Sequence, residues 1–84
     1  MSTDARKAFA TLLNFMVQAV VDHTDSVRIN INQGPQTTCY EIHVAKSDVG
    51  KVLGKEGSMV RSFRKILVAF AAKHKFRGVI EVVE

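Results

Sequence analysis

The chain has one cysteine, one proline and no tryptophan, and its longest uninterrupted apolar run, Ile66 to Ala72, is seven residues. A single cysteine, Cys39, excludes an intrachain disulfide and, without a neighbouring cysteine pair, is a poor start for a metal site. The histidines His23, His43 and His74 are scattered, with only His43 near Cys39, so four ligands for a structural zinc are not to be found. An apolar run this short is far below the ~20 residues needed to cross a bilayer, which argues against a membrane partner. The first residues, Met1 to Lys7, lack a signal-type apolar core, and a cytoplasmic protein is expected.

Acidic residues are scarce in one half. From Lys46 to Arg77 there are two, Asp48 and Glu56, against nine basic residues, whereas the remainder holds six acids and three bases. The overall charge of +4 therefore conceals a concentrated positive segment. Such a segment is what a polyanion-binding face looks like, although a solvated helix face gives the same count.

Eighty-four residues suit one domain, residues 1–84, with nearly all apolar residues committed to one core. Hydrophobic residues at 46% and charged residues at 24% are ordinary for a globular chain. The spacing of Phe9, Leu12, Leu13, Met16 and Val20 predicts a helix over 4–21, with Ser2 or Thr3 as its cap and Asp4 in its first turn. Val27, Ile29 and Ile31 then alternate with Arg28, Asn30 and Asn32, and Tyr40, Ile42 and Val44 with Cys39, Glu41 and His43. These are two half-buried strands of an antiparallel hairpin, turned at Gln33-Gly34-Pro35-Gln36. Ser47 is placed to cap a short helix over 48–53, which Gly50 weakens and Gly54 ends. Gly50 makes sense there if something packs closely against it. A long helix from Ser58 to about Lys75 carries Met59, Phe63, Ile66, Leu67 and Phe70 on its core stripe. Gly78 separates it from a last strand, Val79 to Val83. The expected class is α+β, in the order α-β-β-α-α-β.

Chemistry concentrates where the two later helices meet, at Val52-Leu53-Gly54-Lys55-Glu56-Gly57-Ser58-Met59-Val60. A tight turn between helices puts the unpaired amides and positive pole of the second helix at the bend. Gly54 and Gly57 let a phosphodiester backbone come close, Lys55 adds a mobile positive charge, and Val52, Leu53 and Val60 offer an apolar floor for bases. Glu56 opposes a phosphate unless it points to solvent. The nearest match to a nucleoside triphosphate loop, Gly50-x-x-x-Gly54-Lys55, has three intervening residues where four are needed, and Glu56 replaces the magnesium-binding hydroxyl. With no grouped serine, histidine and carboxylate either, an enzyme is not expected, and no cofactor or metal is called for.

Gly-x-x-Gly alone often marks no more than a bend, but these residues carry a resemblance. The stretch resembles the V/I-I-G-x-x-G-x-x-I signature of KH domains, with Leu53 and Val60 standing where isoleucine is usual. The element order resembles the type II arrangement, and Glu41 to Gly57 is similar to small single-domain bacterial proteins of the KhpA family. The resemblance implies a three-stranded sheet packed on one face by three helices, with single-stranded RNA clamped by the loop and its bases read in the adjoining groove. By position, Gly54, Lys55, Glu56 and Gly57 are the clamp, Gly50, Lys51, Val52 and Leu53 the short-helix wall, and Ser58, Val60, Arg61 and Arg64 the long-helix side. It further implies an RNA chaperone or post-transcriptional regulator linked to cell elongation and division. Homodimerisation, or pairing with a larger Jag-type KH protein, is the alternative principal role.

Overall fold

Periodicity of four organises the first helix, α1, Ser2–Val20. The computed structural model describes residues 2–84, with side chains from Ala5 onward; the cap and first-turn roles expected of Ser2, Thr3 and Asp4 lie outside the described side chains. Ala5, Phe9, Leu13, Val17 and Val21 are the buried residues of this segment. They form one ridge of four-residue steps, which runs oblique to the helix axis and crosses the sheet at an angle. Of the expected stripe, Phe9 and Leu13 are buried and Met16 and Val20 pack half-buried against the core. Leu12 is exposed, and Val17, not expected on the stripe, is fully buried.

Three strands follow the expected boundaries to within one residue: β1, Arg28–Gln33; β2, Thr38–His43; and β3, Gly78–Val82. β2 is central, antiparallel to β1 and parallel to β3. Thr38, Tyr40 and Ile42 are buried while Cys39, Glu41 and His43 are half-buried on the opposite face, the two-residue alternation of a sheet covered on one side. Tyr40 anchors the covered side. Its ring meets Phe9 edge-on at 5.1 Å, and its hydroxyl donates to the Arg6 carbonyl at 2.8 Å, so the buried polar tip is satisfied. On the other face Cys39 stands 4.0 Å from a Glu81 carboxylate oxygen. Burial, then Glu81 and Glu41, push its thiol pKa up.

Between β2 and β3 the chain runs through α2, Val49–Leu53, and α3, Ser58–His74. Parallel neighbours require such a crossover. α3 buries Val60, Phe63, Leu67 and Ala71. The expected Met59 and Phe70 sit half-buried at the rim of the core and Ile66 is exposed, because the helix is rolled toward β3. Gly78 shows why: a Cβ there would stand 3.0 Å from the Leu67 Cδ1. Gly78 is thus the first residue of the last strand rather than a separator before it. The helix ends as expected at Lys75, in the left-handed conformation at φ 61°, with its N–H on the Ala71 carbonyl.

Candidate nucleic-acid interface

The two-helix corner is a chain of positive dihedral angles. Gly54 donates its N–H to the Gly50 carbonyl at 2.9 Å, closing α2, and then turns at φ 76°, ψ 171°, a region essentially reserved for glycine. A Cβ at Gly54 would lie 2.6 Å from the Met59 backbone nitrogen and 2.7 Å from its Cβ. A tight turn over Lys55–Gly57 follows, closed by the Gly57 N–H on the Gly54 carbonyl at 3.1 Å. Glu56 is left-handed at φ 56°, ψ 30° and Gly57 at φ 76°, ψ 14°. For Glu56 this costs about 1–2 kcal/mol, since its Cβ crowds the following carbonyl. The Ser58 N–H bonds the Lys55 carbonyl, and Gly57, at the cap position of α3, has no side chain to satisfy the rest of the first turn. The positive end of α3 therefore opens at the turn.

The expected site residues divide by environment. Gly54, Lys55, Glu56, Gly57 and Ser58 form the corner itself; Lys55, Glu56 and Ser58 are exposed, and neither Lys55 nor Glu56 joins an ion pair among the described residues. Gly50 is exposed and a Cβ there would meet nothing within 4 Å. No internal partner packs against it, so a close neighbour there is not another helix of the chain, and its bare backbone faces open space. Leu53 is half-buried, whereas Val52 is fully buried and Val60 is 4% exposed. These two valines belong to the core and support the surface from beneath.

The basic residues also differ in their commitments. Lys51 is engaged with acids, its Nζ 3.3 Å from Asp22 and 3.7 Å from Asp48. Arg61 donates through Nη1 to the Glu56 carbonyl at 2.6 Å. Arg64 reaches from α3 to the Ile80 carbonyl on β3 at 3.3 Å. It borders a depression of about 170 Å³ whose other walls are Leu67, Val68, Gly78, Val79 and Ile80. Lys55 alone of these cations stands at the tip of the turn without an internal acceptor among the described residues.

Asp48 was not anticipated. It is fully buried, and neither the turn at Lys46–Asp48 nor α2 has a side-chain cap, so Ser47 does not cap α2 as expected. The Asp48 carboxylate instead accepts the backbone N–H groups of Asp22 at 3.2 Å and His23 at 2.9 Å, with the His23 Nδ1 at 3.1 Å. Burial pushes its pKa up, but the His23 and Asp22 amides, with the His23 ring, outweigh this and hold it below the ordinary carboxylate value. The only signal in the sequence was an acid isolated between Lys46 and Lys51.

A three-stranded mixed sheet covered by three helices, with a glycine-bounded turn joining the second and third, defines a KH-type domain in the type II order. The family model for the KhpA/KhpB KH domain matches residues 10–82, and the chain belongs to this family. It is 39% identical over 72 residues to the RNA-binding protein KhpA of Chlamydia pneumoniae, covering 86% of this chain and 92% of that one. To the RNA-binding protein KhpA of Borreliella burgdorferi it is 38% identical over 73 residues, 87% and 89% of the two chains. The RNA-binding protein KhpA of Aquifex aeolicus is 34% identical over 77 residues, 92% of this chain and 98% of that one. No solved structure matches significantly.

Proposed function

We propose that this chain binds single-stranded RNA at the Gly54–Gly57 turn and along the neighbouring faces of α2 and α3, as a small RNA chaperone or post-transcriptional regulator. The observation that carries the reading is the corner itself. Consecutive positive-φ residues, an uncapped helix start and the unengaged Lys55 meet at one point, which suits a phosphodiester backbone. The relatives are named as RNA-binding proteins, which agrees with it. Gly50 and Leu53 would line the α2 side and Arg64 the α3 side, with the depression beside Arg64 taking apolar or base contacts. Glu56, exposed and without an ion pair among the described residues, limits affinity by its charge. The reading is one of binding and not of catalysis, needs no cofactor, and carries with it a cytoplasmic location and the link to cell elongation and division.

A second role, pairing with another copy or with a Jag-type KH protein, is favoured by exposed apolar side chains. Leu12 and Phe15 on α1, Ile66 and Val68 on α3 and Val79 on β3 are 38–73% exposed. One experiment separates the roles. Lys55 and Glu56 are replaced together by aspartate, the fold is checked by circular dichroism, and RNA binding and sedimentation are measured in parallel. RNA binding is expected to be lost with self-association retained; unchanged RNA binding overturns the loop assignment.

A further inference from the structure

Arg61 lies where a phosphate-contacting residue would be expected, yet its guanidinium is turned onto the protein's own backbone. Nη1 donates to the Glu56 carbonyl at 2.6 Å, a close contact from a charged donor. The same Nη1 would stand 3.2 Å from a Cβ built on Gly57. Both measures lay the guanidinium against the Glu56–Gly57 peptide, and no carboxylate pairs with Arg61 among the described residues.

That peptide needs a restraint. Glu56 and Gly57 are both left-handed, and for an L-residue with a side chain that conformation persists only where its surroundings hold it. An unrestrained peptide would also be free to turn its carbonyl oxygen toward an approaching phosphate, setting one partial negative charge against another. With the oxygen on Arg61, that acceptor is neutralised and the turn is preformed, which lowers the ordering cost of binding.

We propose that Arg61 is a positioning residue: it locks the Glu56–Gly57 peptide in its left-handed form and away from the RNA backbone, without itself contacting phosphate. This rests on the RNA-binding reading above, and the two are tested separately. Arg61→Ala and Arg61→Lys are compared with the unaltered chain by titration of a fluorescein-labelled single-stranded RNA of mixed sequence over a range of salt concentrations. Amide order parameters for Lys55 to Ser58 are measured without RNA.

A lock predicts that Arg61→Ala weakens binding roughly three- to tenfold, the worth of one ordinary hydrogen bond. The dependence of log affinity on log salt is unchanged, and the Glu56 and Gly57 order parameters fall. Arg61→Lys, which keeps the charge on a shorter-reaching donor, is expected to lose part of both. A salt slope shallower by about one unit in Arg61→Ala identifies a direct phosphate contact and overturns the proposal. Unchanged affinity, or unchanged order parameters, overturns it as well. If the unaltered chain binds none of the probe, the RNA-binding reading fails and the proposal with it, while the order parameters still report whether Arg61 holds the turn.

Discussion

The Asp48 carboxylate and the His23 backbone N–H are joined by a 2.9 Å hydrogen bond across 25 positions of sequence. This bond ties the start of α2 to the segment leaving α1, and Lys51 closes over it from α2. Because the folded-state pKa of Asp48 is lowered, its contribution to stability is present above the unfolded value of about 3.9 and is lost as pH falls through the folded value. Urea unfolding followed from about pH 7 to about pH 2 is expected to show this loss on the acid limb. Asp48→Asn should melt several degrees lower at neutral pH and show a flatter acid limb; an acid limb as steep as that of the unaltered chain would remove Asp48 from this role.

The two glycines of the corner are expected to respond unequally. A Cβ at Gly54 meets the backbone of Met59 at 2.6 Å, while one at Gly57 meets only the tip of Arg61 at 3.2 Å. Gly54→Ala should therefore destabilise by more than about 2 kcal/mol through an incompatible backbone and a clash. Gly57→Asn, whose side chain tolerates the left-handed region, should cost about 1 kcal/mol or less. Equal midpoints in urea would contradict this ranking.

Gly50 separates stability from binding. With nothing within 4 Å of an added Cβ, Gly50→Ala is expected to stabilise the protein by about 0.5–1 kcal/mol, by removing a helix-interior glycine. If RNA crosses this face of α2, the same methyl group should weaken binding. Urea unfolding and RNA titration of one variant test both, and tighter or unchanged binding would take Gly50 out of the interface.

Tyr40 is the only tyrosine, so ultraviolet titration reads it without overlap. Burial, partly opposed by Arg6, pushes its pKa up to about 12. A raised folded-state value means that its contribution to stability is fully present below the unfolded pKa of about 10 and is lost as pH rises through about 12. Phenolate absorbance is expected to appear together with alkaline unfolding; ionisation near pH 10 in a folded chain would show that the Tyr40 environment is more open.

Periodicity made the element order and the strand faces readable, because alternation over Val27 to Asn32 and Cys39 to Val44 has one burial solution. It was less informative within helices. Leu12 and Val17 are both apolar, and only the angle at which α1 crosses the sheet decides which is buried. The glycine corner was legible because Gly54 and Gly57 are chemically distinctive, and the packing of Val52 and Val60 was not, since core and groove floor ask for the same side chains. The Asp48 contacts and the Arg61 hydrogen bond escaped for a further reason. Their partners, the His23 amide and the Glu56 carbonyl, are backbone groups that any residue carries, so no pattern of side chains announces them.

The parallel pairing of β2 with β3 has a consequence for the order in which the molecule assembles. Thr38 and Gly78, opposite each other in the sheet, are forty positions apart, and everything from α2 to α3 must be arranged before they meet. Contacts of such separation carry a loop-closure cost that local ones do not, whereas the β1–β2 hairpin and the helices rest on local contacts. Arg64 and the β3 carbonyl it holds are brought together only by that pairing, so a chain with β3 unpaired would display the glycine turn without the wall beside it.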